Sequence, residues 1–396
     1  MKTDFFQYQA QTTPHPLALE IDRAEGSYIY DTSGKAYLDF VAGVSACSLG
    51  HRHPKVVEAI KAQLDRYLHV MVYGEYVQQP AVDLTKLLAQ HLPTPLETTY
   101  LVNSGTEAID GAMKLARRAT GRSKIIAAHK AYHGNTFGAL SLMDHKERTA
   151  PFQPLVGDID FLTFNDVDSL KKIDGHTAGV VLETIQGGAG FIEPDTRWIQ
   201  QMKQCCEAVG ALLILDEIQP GFGRTGKLFG FEHYGIVPDI LVMGKGMGGG
   251  LPIGAFTASA KAMKLLSNNP KLGHITTFGG HPVIAAAALA TLKVIVEGDL
   301  IKASLEKEKY LRQRLKHPLI QEIRGRGLML ALLTPSADIT SEVILRCQER
   351  GLILFWLLFE TRAIRITPPL TISNEELKEG CTLLLQVLDE VAAKTG

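Results

Sequence analysis

Between residues 99 and 257 the chain repeats one pattern: a short run apolar on both faces, a turn, then a helix-length stretch with apolar residues every three or four positions. A strand that is hydrophobic on both faces must be covered on both faces, which favours a parallel sheet flanked by helices. The pattern predicts strands at 99–102, 124–128, 179–182, 211–215, 240–243 and 253–257, with helices at 106–119 and 196–209 between them. The expected class is α/β, an open and mostly parallel sheet that receives ligands at the carboxyl ends of its strands. After an alanine-rich helix at 283–296 the texture changes to helices near 300–315, 341–350 and 374–393 around strands at 328–333, 351–355 and 363–366. The expected division is a large domain at 46–297 and a smaller α+β domain made of 1–45 and 298–396.

The 396 residues exceed what one ordinary core holds, so two domains are expected. Forty-one basic and 42 acidic residues leave a net charge of −1, which gives a polyanion nothing to follow. Nucleic acid and anionic membrane are therefore not expected partners. The five cysteines include no CxxC pair, and their odd count suits reduced thiols. Residues 1–16 lack the apolar core of a signal peptide, and the longest apolar candidate, 351–359, is strand-sized. A cytoplasmic protein is expected.

Two motifs invite a nucleotide and fail. Gly221-Phe-Gly-Arg-Thr-Gly226 fits GxGxxG, but its last glycine opens an aromatic, glycine-broken stretch instead of a long helix. The same segment lacks the hydroxyl of a P-loop, because Leu228 follows Lys227. His51 and His53 have no third ligand nearby in sequence, and no metal is expected.

Four other sites carry chemistry. Asn103-Ser104-Gly105-Thr106-Glu107 falls where a strand ends and a helix begins, so free N–H groups and two hydroxyls can hold an anion. Read alone, it is first an ordinary helix cap. Asp216 ends an apolar strand, where its carboxylate can pair with a protonated ring nitrogen or cap the next turn. Lys245 follows the strand at 240–243 and precedes Gly246-Met-Gly-Gly-Gly250. A lysine there is costly unless paired or reacted, and a desolvated amine is the kind that forms an imine. Arg365 stands between Ile364 and Ile366 in a short strand; it can grip a carboxylate through two parallel hydrogen bonds or serve a structural ion pair.

These residues resemble the class III aminotransferases, the fold type I group that includes ornithine, acetylornithine and 4-aminobutyrate aminotransferases. The likeness runs from Tyr37-Leu-Asp-Phe and Gly50-His-Arg-His-Pro54, through Leu215-Asp-Glu-Ile-Gln-Pro-Gly-Phe-Gly-Arg-Thr-Gly226, to Arg365-Ile-Thr-Pro-Pro-Leu370. It implies pyridoxal 5′-phosphate as cofactor, Lys245 as the Schiff-base lysine and proton carrier, and Asp216 on the pyridine nitrogen. It also implies Tyr132 stacked on the ring, Gln219 near the ring hydroxyl, and Ser104, Gly105 and Thr106 on the phosphate. His133 and Glu183 complete the implied cofactor set, Thr277 joins it from a neighbouring subunit of a homodimer, and Arg365 binds the substrate carboxylate.

The departures concern substrate. Gly188 stands where members with a two-substrate switch carry a Glu, so Arg365 is expected to lack an internal carboxylate shield. Asn135 replaces an Arg that reads the distal carboxylate, and Val44 replaces a Tyr of eukaryotic ornithine enzymes. The resemblance implies transfer of an amino group from ornithine, acetylornithine or another ω-amino compound to a 2-oxo acid such as 2-oxoglutarate. The same scaffold supports aminomutases, racemases and decarboxylases, and a non-catalytic relative would tend to lose Lys245 or Asp216.

Overall fold

Every strand end that the sequence marks as chemical meets at one edge of a single sheet. The structure is a computed structural model that describes residues 1–395. After a helix at Lys2–Tyr8 come strands β1 (Ile21–Glu25), β2 (Tyr28–Asp31) and β3 (Ala36–Asp39). The central strands are β4 (Thr98–Val102), β5 (Lys124–Ala128), β6 (Ile159–Leu162), β7 (Thr177–Glu183), β8 (Leu212–Asp216), β9 (Ile240–Gly244) and β10 (Gly254–Ala258). They form one sheet in the order β4-β10-β9-β8-β7-β5-β6. The pairs β8–β9, β7–β8, β5–β7 and β5–β6 are parallel, and only β10 runs against its neighbours.

Alternation along these strands sorts the core onto two faces. Ile125, Ala127, Val181, Ile214, Val242 and Phe256 pack with Ala108, Ile109, Ala112 and Leu115 of helix Gly105–Thr120. On the other face Ile126, Val180, Leu182, Leu213, Leu215 and Leu241 meet Trp198, Ile199 and Met202 of helix Thr196–Val209. Both predicted helices are present within one or two residues of their expected bounds. Strand β6 was not anticipated: Ile-Asp-Phe-Leu is short and only partly buried.

The C-terminal third adds β11 (Glu322–Arg326), β12 (Met329–Leu333), β13 (Leu352–Ile353), β14 (Phe355–Trp356) and β15 (Ala363–Ile366). One strand was expected at 351–355; the chain instead changes sheets there. β13 pairs in parallel with β3, while β14 pairs antiparallel with β15. Leu38 and Phe40 of the N-terminal segment share a core with Leu330, Ile364, Leu384 and Leu388. No helix among the described residues is long and apolar enough to cross a membrane.

Candidate active site

The parallel register fixes the site. Glu183 and Asp216 are direct partners at the ends of β7 and β8, and Asp216 is paired with Val242 of β9, three residues before Lys245. Gly254 at the start of the reversed strand β10 lies opposite both Val102 and Gly244, so the loops after β4 and β9 converge. A cavity of about 670 Å³ opens there. Gly105, Thr106, Tyr132, His133, Glu183, Asp216, Gln219, Lys245 and Arg365 all line it, together with Val44, Asn135 and Gly188.

Ser104 and Thr277 are not among those lining residues. Ser104 Oγ accepts the backbone N–H of Glu107 at 3.3 Å, the capping role open to it from sequence. Such a cap contributes about 1 kcal/mol to its helix. Thr277 is exposed on the chain's surface.

Both carboxylates of the cavity have a protein partner on each oxygen. Asp216 Oδ2 meets His133 Nδ1 at 2.7 Å, and Oδ1 accepts the N–H of Ile218 at 2.9 Å. Burial opposes a charged His133, yet the hydrogen bond and charge of Asp216 outweigh it and hold the imidazole above its ordinary pKa. Glu183 accepts the N–H groups of Tyr132 at 3.0 Å and Gly187 at 2.7 Å. Burial pushes its carboxyl up to about 7; His133 opposes this and the Asp216 charge adds to it.

The cations are not satisfied in this way. Among the described residues, neither Lys245 nor Arg365 has a carboxylate in ion-pair reach. Burial lowers the Lys245 amine, with Asp216 pulling the other way and Arg365 adding to the lowering. Its backbone is left-handed at φ 42, a conformation that costs a non-glycine residue about 1–2 kcal/mol and concentrates at functional sites. Arg365 is 6% exposed, its guanidinium lies 5.4 Å from the Phe191 ring centre, and Nε and Nη1 have no hydrogen-bond partner. Burial lowers it to about 10, with Glu183 opposing. A buried guanidinium with two idle nitrogens is costly alone and is relieved by an incoming carboxylate.

A phosphate also has a place in the cavity. Helix Gly105–Thr120 presents its first turn there, a ready-made anion site. Gly134 closes the cradle at φ 127; a Cβ on it would come within 2.2 Å of Thr106 Oγ1. Thr106 in turn bonds Thr136 Oγ1 at 2.7 Å. A helix N-terminus for phosphate, a lysine amine and an aspartate for a ring nitrogen together fit pyridoxal phosphate.

A family model for the class-III aminotransferases matches residues 8–388. The chain belongs to that family. This aminotransferase is 39% identical over 381 residues to the acetylornithine aminotransferase of Mycobacterium tuberculosis, covering 94% of the chain and 92% of the relative. It is 38% identical over 386 residues to the LysW-aminoadipate semialdehyde/glutamate semialdehyde transaminase of Sulfolobus acidocaldarius, covering 95% and 96%. The solved ornithine aminotransferase of Toxoplasma gondii superposes with a TM-score of 0.90 at 30% identity, covering 100% of this chain and 96% of that one. The fold is thus that of the fold type I transaminases, and like its family the aminotransferase depends on pyridoxal phosphate.

Sequence reading passed over Thr12, Ile218, Pro220, Leu358 and Arg148, which also line the cavity. Ile218 and Pro220 flank Gln219, within four residues of Asp216, and could have been included on spacing alone. Thr12 and Leu358 come from irregular segments and Arg148 from the short helix Lys146–Thr149, and nothing in their local sequence announces the cavity. Gly188, by contrast, gains a physical reason. A Cβ there would meet the Phe359 ring at 2.9 Å, and Phe359 N–H bonds the Gly188 carbonyl at 2.9 Å. The aromatic loop takes the space that a side chain at 188 would need.

Proposed function

We propose that this aminotransferase moves the amino group of an ω-amino substrate of the ornithine or acetylornithine class to a 2-oxo acid, 2-oxoglutarate among them. The observation that carries the reading is Arg365: a buried guanidinium without a carboxylate partner that lines the same cavity as the desolvated amine of Lys245. Bound pyridoxal phosphate supplies an electron sink for the charge left when a substrate C–H proton is removed. Lys245 Nζ anchors the cofactor and, displaced by substrate, carries that proton. Burial helps it, because a lowered amine pKa leaves more neutral base at working pH.

Asp216, fixed by His133 and by the N–H of Ile218, holds the ring nitrogen. Glu183 keeps Tyr132 in place through its backbone, which presents the Tyr132 ring to the cofactor. Gln219 reaches the ring hydroxyl; its amide Nε2 lies 3.4 Å from Ser45 Oγ. Gly105 and Thr106 take the phosphate, with Ser104 holding their helix turn.

The chain acts as a homodimer in the cytoplasm, with domains 46–297 and 1–45 plus 298–396. Thr277 reaches the partner's phosphate. Support comes from one face of the molecule, where Tyr73 N–H bonds the Thr276 carbonyl at 3.2 Å and His69 packs on Phe278 at 4.9 Å. That face exposes Val77 (90%), Tyr76 (57%), Leu272 (59%) and Phe278 (53%), a cluster that in a soluble chain marks an interface.

The test is a pair of half-reactions on the holoenzyme. N-acetylornithine or ornithine should shift the cofactor to its amine form, with the visible band lost, and 2-oxoglutarate should restore it. A band that no ω-amine alters, or that no 2-oxo acid restores, refutes the reading.

A further inference from the structure

The cavity holds a third cation that the proposed chemistry leaves idle. Arg148 lines the same space as Arg365 and Lys245, on the short helix Lys146–Thr149. It is exposed, and among the described residues no carboxylate lies within ion-pair reach of it. Its guanidinium sits 5.9 Å from the ring centre of Phe359, which stacks on His145 at 5.5 Å and 24°. A guanidinium held by an aromatic ring keeps its N–H donors available.

We propose that Arg148 is a specificity-determining residue that binds the second carboxylate of a dicarboxylic 2-oxo acid while Arg365 binds the first. The proposal rests on the transaminase reading above. Three observations carry it. The two carboxylates of the cavity, Glu183 and Asp216, already have their protein donors, so Arg148 and Arg365 are left to face the ligand. Arg148 lines the same cavity as Tyr132, Lys245 and Arg365, so a ligand held there lies within one enclosed space with all four. The nearer position, Asn135, carries no charge and lies 3.4 Å from the Tyr132 hydroxyl. The missing cation at 135 is thus replaced from a short helix 13 residues further on, held by the same Phe359 that closes over Gly188.

Two guanidinium groups in one cavity favour a substrate with two anions, since each bidentate contact adds both energy and geometry. A monocarboxylate such as pyruvate would leave Arg148 idle. The experiment compares wild type, Arg148→Gln and Arg148→Lys holoenzymes in the acceptor half-reaction with 2-oxoglutarate and with pyruvate. Glutarate binding is measured by calorimetry alongside. We expect wild type to prefer 2-oxoglutarate and Arg148→Gln to lower the kcat/KM ratio of 2-oxoglutarate to pyruvate at least tenfold. Most of that change should lie in KM, with a similar loss in glutarate affinity and partial recovery in Arg148→Lys. A ratio unchanged by Arg148→Gln overturns the proposal and leaves the transaminase reading standing. So does a variant whose only defect is weaker retention of pyridoxal phosphate, which would assign Arg148 to the phosphate. A wild type that reacts with neither acid overturns both readings.

Discussion

Lys245 and Glu217 show how one residue's surroundings decide its chemistry. Burial lowers the Lys245 amine, and among the described residues no carboxylate pairs with it. Glu217, next to Asp216, is buried as deeply yet is fully occupied. It accepts bonds from Thr184 Oγ1 at 2.6 Å and from the N–H groups of Gly230 at 2.8 Å and Phe231 at 2.7 Å. Burial still dominates and raises its carboxyl from 4.5 to about 7. Between those two values the folded chain holds more protons than the unfolded one. Glu217 therefore favours folding at low pH, and that contribution is lost as pH rises through about 7. At about 1.4 kcal/mol per pKa unit, the loss is on the order of 3 kcal/mol. Glu217→Gln should flatten the fall of unfolding free energy across this window by about that amount, read from urea unfolding at a series of pH values. An unchanged slope would mean that another group sets it.

At the scale of elements, what could be read from the sequence was what local pattern determines. Strands β4, β5, β7, β8, β9 and β10 are apolar on both faces, so their existence and their ligand-bearing ends followed from composition alone. Asp216 and Lys245 could be picked out because each breaks such a run at its carboxyl end. β6 escaped because Asp160 interrupts four residues that are mostly half-buried. The exchange between β13 and β14 escaped because it depends on which sheet is adjacent, β3 on one side and β15 on the other. Arg148, Leu358 and Thr12 escaped for the same reason: tertiary contacts bring a short helix and two irregular segments to the cavity. The effect of Gly188 was visible as an absent carboxylate, but not that Phe359 would fill the space.

For the whole molecule, the account requires two copies. Tyr76, Val77, Leu272 and Phe278 are exposed apolar side chains, and the exposed Thr277 adjoins Phe278. Sedimentation at micromolar concentration should give twice the mass of one chain. An active monomer would remove Thr277 from the site.

The central claim is narrower: one lysine carries the cofactor. Wild type and Lys245→Ala are each saturated with pyridoxal phosphate, reduced with borohydride, digested and analysed by mass spectrometry. The account predicts the reduced cofactor on Lys245 in wild type and no covalent label in the variant. A variant that still fixes the cofactor at full occupancy would contradict it.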